Sequence, residues 1–253
     1  MPQNIQISSA EVIKRLKISC NLPSVVRETV IQQIIGSTAQ TEGIEVTDGE
    51  LQQAADDFRA KYNLYNPATT WQWLQNNYLT GDDFEQLIYE SVLSSKLIQH
   101  LFSDRVEPYF YEHQLDFTQA ILYEIIFDDF DEAIEQFYAI EEQETTFIEV
   151  ARQYIQAPEL RRQYGYRGIL SRPALNSAIS AAVFASSPPQ LLKPIVVEKK
   201  AHLILVEEII QPQLDETLYG QILDRLFAVW LEQQAQQYSI EIDIQAEKAR
   251  ATS

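Results

Sequence analysis

The spacing of the apolar residues changes near Phe117, and this change constrains the fold more than any other feature of the sequence. From residue 8 to residue 110, apolar residues recur three or four positions apart, as in Val26, Val30 and Ile34, which predicts helices. Beyond the change, Ala120–Phe127 is a short run of β-branched and aromatic residues, which predicts a buried strand. We therefore expect an α+β protein whose N-terminal half is all helical.

Helix signals in this half are local and specific. Thr47 and Glu50 have the spacing of a capping box, in which each side chain accepts the other residue's backbone N–H. Aromatic residues at helical spacing are usually core, so we interpret Trp71 and Trp73 as core residues. The single cysteine, Cys20, excludes an internal disulfide, and we interpret it as a packing residue.

The second half alternates between the two periods. We expect helices over Asp131–Glu142, Thr146–Tyr154 and 174–185, a pair of strands over Ile195–Val197 and His202–Ile209, and a last helix over Glu216–Gln236. Gly165 and Gly168 lie together, which predicts a turn that runs close to another part of the backbone. The predicted order is helices, then a β-α-α-β-α-β-β unit, then a long helix.

Charge and composition exclude several classes of function. The formal net charge of −18 repels phosphate backbones, so we expect no nucleic-acid partner. No apolar stretch is long enough to span a bilayer, and the first residues show no export signal, so the sequence predicts a cytoplasmic protein. His100 and His113 lack companions at metal-ligand spacing, and no phosphate-binding glycine loop occurs, so we expect no metal and no cofactor.

Several residues keep a shared spacing over residues 119–209. They are Phe147, Ala151 and Tyr154, then Gly165-Tyr166-Arg167-Gly168, then Ala182-Val183-Phe184, and finally Pro194 and His202. This pattern resembles the parvulin (PpiC, rotamase) type of peptidyl-prolyl isomerase. Residues Val46–Leu51 and Leu79–Phe84 are similar to helix starts in the helical arm of SurA-like foldases. The resemblance implies a SurA-like arm at 1–115, a parvulin-like domain at 116–211, and a C-terminal helix at 212–253 that packs on the arm.

The resemblance also implies a site. It assigns Leu175, Ile179 and Phe184 to an apolar wall that grips a proline, and His202 to the second of two facing histidines. Glu124 takes the place of the first histidine, with Tyr123 beside it, and the usual cysteine or aspartate has no counterpart near Pro158. The same residues also have ordinary structural interpretations. The wall residues could be core residues, and the Glu124–His202 pair could be a cross-strand hydrogen bond that only holds the sheet together.

Two functions follow from these expectations. The first is a peptidyl-prolyl cis–trans isomerase or foldase that binds proline-containing or unfolded polypeptides, with His202, Glu124 and Tyr123 shaping the carbonyl environment. The alternative is a catalytically inactive parvulin-fold chaperone or peptide-recognition protein for a dedicated client. Both have a polypeptide partner and no cofactor, and the sequence does not determine an oligomeric state.

Overall fold

The computed structural model describes residues 5–242, which form eleven α-helices, one 3-10 helix and four strands. The first five helices are α1 (Ser9–Ile18), α2 (Leu22–Thr41), α3 (Asp48–Lys61), α4 (Pro67–Asn76) and α5 (Gly81–Glu112). The middle of the chain contains α6 (Gln114–Phe117), β1 (Gln119–Phe127), α7 (Phe130–Glu141), α8 (Phe147–Tyr154), α9 (Pro158–Arg162) and β2 (Tyr166–Ser171). There follow the 3-10 helix (Arg172–Ala174), α10 (Ser177–Phe184), β3 (Gln190–Val197), β4 (Lys200–Ile210) and α11 (Glu216–Ala235).

The described residues divide into two compact units. One, which we call the helical unit, contains the residues up to Val106 together with those from Tyr219 onward, and the other, which we call the sheet unit, is Glu107–Leu218. In the first unit, α11 packs against α5, where the Phe102 ring meets the Phe227 ring edge-on at 6.3 Å. The predicted capping box at Thr47 and Glu50 is present at the start of α3.

The second unit is built on one antiparallel sheet with the strand order β2-β1-β4-β3. Because β1 lies between β2 and β4, strands that are far apart in sequence become neighbours. The register of β1 against β4 pairs Glu124 with Ile204 and Ile126 with His202. This register places Glu124 and His202 near each other on adjacent strands.

Each face of the sheet has its own apolar cluster. On one face, which we call the α7–α8 face, Ile125, Phe127 and Leu203 pack with Ala133 of α7 and Val150 of α8. On the other, the α10 face, Leu122, Ile204 and Val206 pack with Ile179 and Val183 of α10. Since side chains alternate along a strand, Glu124 and His202 belong to the α10 face, together with Leu122 and Ile204.

The predicted α+β class and the β-α-α-β-α-β-β order are confirmed, with only short additional helices between the elements. Two residue interpretations are wrong. Trp71 is 58% exposed rather than buried, and Cys20 is exposed in the turn between α1 and α2, where its φ is 57°. The strand β3 begins at Gln190, five residues before the predicted start, and its register with β4 shifts between Leu192 and Ile195, around Pro194. Among residues 5–242, no helix combines the length and the apolar character needed to cross a bilayer.

Candidate functional site

A hydrogen bond joins Glu124 of β1 to His202 of β4 on the α10 face. The distance from His202 Nδ1 to Glu124 Oε1 is 2.7 Å. Both side chains are largely buried, with 9% of the Glu124 side chain and 13% of the His202 side chain exposed. Because an ionised carboxylate only accepts hydrogen bonds, His202 Nδ1 is the donor to the Glu124 carboxylate. The cross-strand pair considered from the sequence is therefore formed.

Arg167 of β2 binds the other oxygen of the same carboxylate. Its Nη1 lies 3.1 Å from Glu124 Oε2, and its side chain is 43% exposed. The three residues come from three adjacent strands, β2, β1 and β4, and we call them the Glu124 network. Both oxygens of the buried carboxylate thus have a donor, which offsets part of the cost of removing the charge from water.

The turn before β2 brings Arg167 to this position. Gly165 has a φ of +84°, and the Glu124 N–H donates to the Gly165 carbonyl at 2.9 Å. A Cβ at residue 165 would lie 2.5 Å from the Glu124 carbonyl oxygen, so only glycine fits. The close backbone approach predicted for this glycine pair is confirmed at Gly165. At Gly168, which has a φ of +81°, an added Cβ would have open space.

The three predicted wall residues lie together on the α10 face. Ile179 is buried in the α10-face cluster, and Leu175 and Phe184 pack against it. The same cluster contains Leu122 and Ile204, which flank Glu124 and His202 on that face. The structure therefore brings the apolar wall and the Glu124–His202 pair to one side of the sheet.

Arg172 limits access to Phe184. Its guanidinium carbon lies 4.4 Å from the centre of the Phe184 ring, which is close enough for a cation–π interaction. One face of the ring is therefore covered. The Nε atom of Arg172 is fully buried and has no hydrogen-bond partner among the described residues. Arg172 was missed from the sequence, and Arg167 was named only as part of the Gly165–Gly168 turn.

Tyr123 is separated from the other predicted site residues. It packs on the α7–α8 face, with its ring 6.3 Å from that of Phe147. Burial raises the pKa of Tyr123, and the nearby Glu207 carboxylate raises this pKa further. The structure does not bring this hydroxyl to the Glu124–His202 pair. Within residues 5–242, no three His, Cys, Asp or Glu side chains are grouped as metal ligands.

Comparison with known proteins shows that this chain is similar to solved structures in its fold only. No protein-family model matches the sequence, and no curated protein matches it. The peptidylprolyl isomerase PrsA from Bacillus cereus is 16% identical, with a TM-score of 0.50 over 94% of this chain and 91% of that one. PrsA from Bacillus anthracis is 18% identical, with a TM-score of 0.47 over 87% of this chain and 99% of that one. The foldase protein PrsA from Streptococcus pneumoniae is 13% identical, with a TM-score of 0.42 over 96% and 94%.

The Bacillus cereus structure carries the conclusion about the fold. Its match extends over nearly all of both chains, so it includes the helical N-terminal half as well as the sheet. The chain therefore has the α+β fold of a PrsA peptidyl-prolyl isomerase with a helical N-terminal region, as the resemblance predicted. At 16% identity the likeness concerns the fold, and the chemistry of the site has to be argued from the residues of this chain.

Proposed function

We propose that the α10 face binds proline-containing segments of polypeptides, as a foldase or peptidyl-prolyl isomerase would. One observation carries the proposal: Leu175, Ile179 and Phe184 form a single apolar wall on the sheet face that also carries Glu124 and His202. An apolar wall beside a few fixed polar groups is the usual composition of a site for a small or cyclic apolar side chain. Tyr123 is left out of the proposed site because it packs on the opposite face.

The chemistry required of such a site is modest. Rotation about the X–Pro bond breaks no covalent bond, and its barrier is about 18–20 kcal/mol because rotation removes amide resonance. A site lowers this barrier when it binds the twisted amide more tightly than the planar one. Here the wall would hold the proline ring, and His202 would be the polar group nearest to the amide, held in one orientation by Glu124.

A specific observation also favours the alternative, a peptide-binding protein without isomerase activity. Both oxygens of Glu124 already have partners, at 2.7 Å from His202 and 3.1 Å from Arg167. Arg172 covers one face of Phe184 as well. These contacts occupy polar and aromatic groups that a catalyst would direct at its substrate, whereas a holding site requires only the wall.

The experiment is a protease-coupled isomerisation assay on X-Pro tetrapeptides with several X residues. The isomerase proposal predicts turnover above the spontaneous rate, and about tenfold less turnover after Leu175→Ala, because Leu175 is the wall residue before α10 that is only partly buried. Val183→Ala is the matched control, because Val183 packs in the same cluster as Leu175 but is fully buried away from solvent. This control separates lost contacts with the substrate from general loosening of the cluster.

The outcomes distinguish the two functions. A rate equal to the spontaneous one for every X residue would remove the isomerase proposal. Binding of the same peptides that weakens with Leu175→Ala but not with Val183→Ala would then support the peptide-binding alternative. The divisions at 115 and 211 and the cytoplasmic location stay predictions of the sequence.

A further inference from the structure

Two cavities adjoin each other in the helical unit, between α3, α4 and α5. The first has a volume of about 440 Å³ and is lined by aromatic residues that include Tyr65, Trp71 and Phe84. The second has a volume of about 380 Å³, and Asp48 and Glu85 are among its lining residues. Both are lined by Arg59, Gly81 and Phe84, so they adjoin at these three residues. We call the two cavities together the α3–α5 groove.

The aromatic end of the groove is open to solvent. Trp71 is 58% exposed and Tyr65 is 76% exposed, above a floor that includes the buried Leu64 and Leu74. The Tyr65 hydroxyl donates to Asn63 Oδ1 at 3.1 Å, which helps to fix the ring in place. Tyr and Trp rings that are exposed beside a cavity have a large apolar area at a low entropic cost of binding, and they are common in binding sites.

The charge of the groove selects its ligand. Arg59 lies where the two cavities meet. Its Nη1 is 2.7 Å from Asp56 Oδ1, so the positive charge of Arg59 is already paired with the Asp56 carboxylate. Asp48 and Glu85 leave an excess of negative charge at the other end, in a protein with a net charge of −18. Anionic ligands are therefore repelled, and a cationic ligand is complementary to the groove.

We propose that the α3–α5 groove binds an extended polypeptide segment that carries an aromatic side chain close to a lysine or arginine. The aromatic side chain lies against Trp71 and Tyr65, and the cation lies toward Asp48 and Glu85. The surface belongs to the helical unit, whereas the wall of Leu175 and Ile179 belongs to the other unit, so the two proposals can fail separately.

The probe is a labelled, proline-free octapeptide that contains one Phe and two Lys separated by Gly and Ser. Binding should move the emission of Trp71 to shorter wavelength, because the exposed indole loses contact with water. The Trp71→Phe variant shows whether the shift comes from Trp71 rather than from Trp73 or Trp230. Anisotropy of the labelled peptide should show about tenfold weaker binding after Trp71→Ala, the size expected for an aromatic anchor. Gln72→Ala, at the next position of α4 and outside the groove lining, is the matched control.

The charged end is tested by the double variant Asp48→Asn and Glu85→Gln. We expect about threefold weaker binding and a smaller effect of added salt, because exposed charge pairs are individually weak and are screened by salt. Equal binding of a peptide in which Glu replaces Lys would overturn the charge argument. Undiminished binding to Trp71→Ala would overturn the site.

Two further results decide the occupant. A shift of Trp71 emission with protein concentration alone would mean that a second copy fills the groove, which contradicts the proposal. Leu175→Ala should leave binding of the proline-free peptide unchanged, and a loss with this variant would place the binding on the sheet unit instead.

Discussion

Replacing Gly165 with alanine should destabilise the sheet far more than the same change at Gly168. Both residues have a positive φ, of +84° and +81°, so alanine costs about 1–2 kcal/mol at either position. Only at Gly165 would the new Cβ meet backbone, 2.5 Å from the carbonyl oxygen of Glu124. Relieving this overlap adds about 1–3 kcal/mol and weakens the hydrogen bond between Glu124 and Gly165. We expect a loss of about 2–5 kcal/mol for Gly165→Ala and about 1–2 kcal/mol for Gly168→Ala.

The assay has to measure the sheet unit itself, since all three tryptophans lie in the helical unit. Amide hydrogen exchange of buried strand residues, such as Ile125 and Leu203, gives the free energy of opening the sheet directly. Gly168→Ala is the control for conformational strain without a clash. Equal losses in the two variants would refute the close approach as the reason for the glycine at 165.

Two other perturbations have defined outcomes. Glu50→Gln should lower the urea midpoint of the helical unit near neutral pH, and the difference from wild type should vanish as pH falls from about 4.5 to about 2. The reason is that the hydrogen bond from Lys96, with the Thr47 cap, lowers the folded-state pKa of Glu50 to about 2, so its stabilisation exists above 4.5 and is lost during acidification. Glu28→Gln, an exposed change on α2, is the control, and a pH-independent difference would contradict the argument. Glu124→Gln should lower the free energy of opening the sheet by about 2 kcal/mol, since it weakens bonds to His202 and Arg167 at once. Arg167→Met should cost less than about 1 kcal/mol, because that guanidinium is 43% exposed, and the reverse order in hydrogen exchange would contradict this account.

The elements and their order could be predicted because they depend on local chemistry. The capping box at Thr47 and Glu50, the strand at Ala120–Phe127 and the helix from Glu216 each have short-range signals in the sequence. The close approach at Gly165 was also predictable, since two glycines in a short turn indicate a backbone that needs φ > 0 or room for a neighbour.

The error at Trp71 has a physical reason. Trp71 lies three positions before Leu74, so both lie on one side of α4, and that pattern predicts a core residue. Periodicity identifies the apolar side of a helix but not whether another element covers all of it. Here Leu74 is buried, whereas the space beside Trp71 is the open end of the α3–α5 groove.

The assignment of Tyr123 and Glu124 to one site conflicts with the strand period. Adjacent residues of a strand point to opposite faces, so both side chains could not face the same groove. The structure places Glu124 beside His202 and Tyr123 beside Phe147. The alternation of side chains along a strand is sufficient to predict that Tyr123 and Glu124 lie on opposite faces of the sheet. The contact of Glu124 with Arg167 depends on the non-sequential strand order β2-β1-β4, so it could not be derived from the spacing of residues in the sequence.

The Glu124 network links structure and function in a way that separates the two proposed activities. Arg167, Glu124 and His202 connect three adjacent strands through one buried carboxylate, so the network has a structural effect whether or not a substrate binds. A catalytic site that includes the network should lose turnover and sheet stability together in Glu124→Gln. A holding site formed by the wall alone should lose stability but retain peptide affinity, provided that hydrogen exchange shows the sheet still folded. Measuring affinity and exchange on the same variant therefore determines whether the polar residues beneath the wall act on the peptide or only support the surface that binds it.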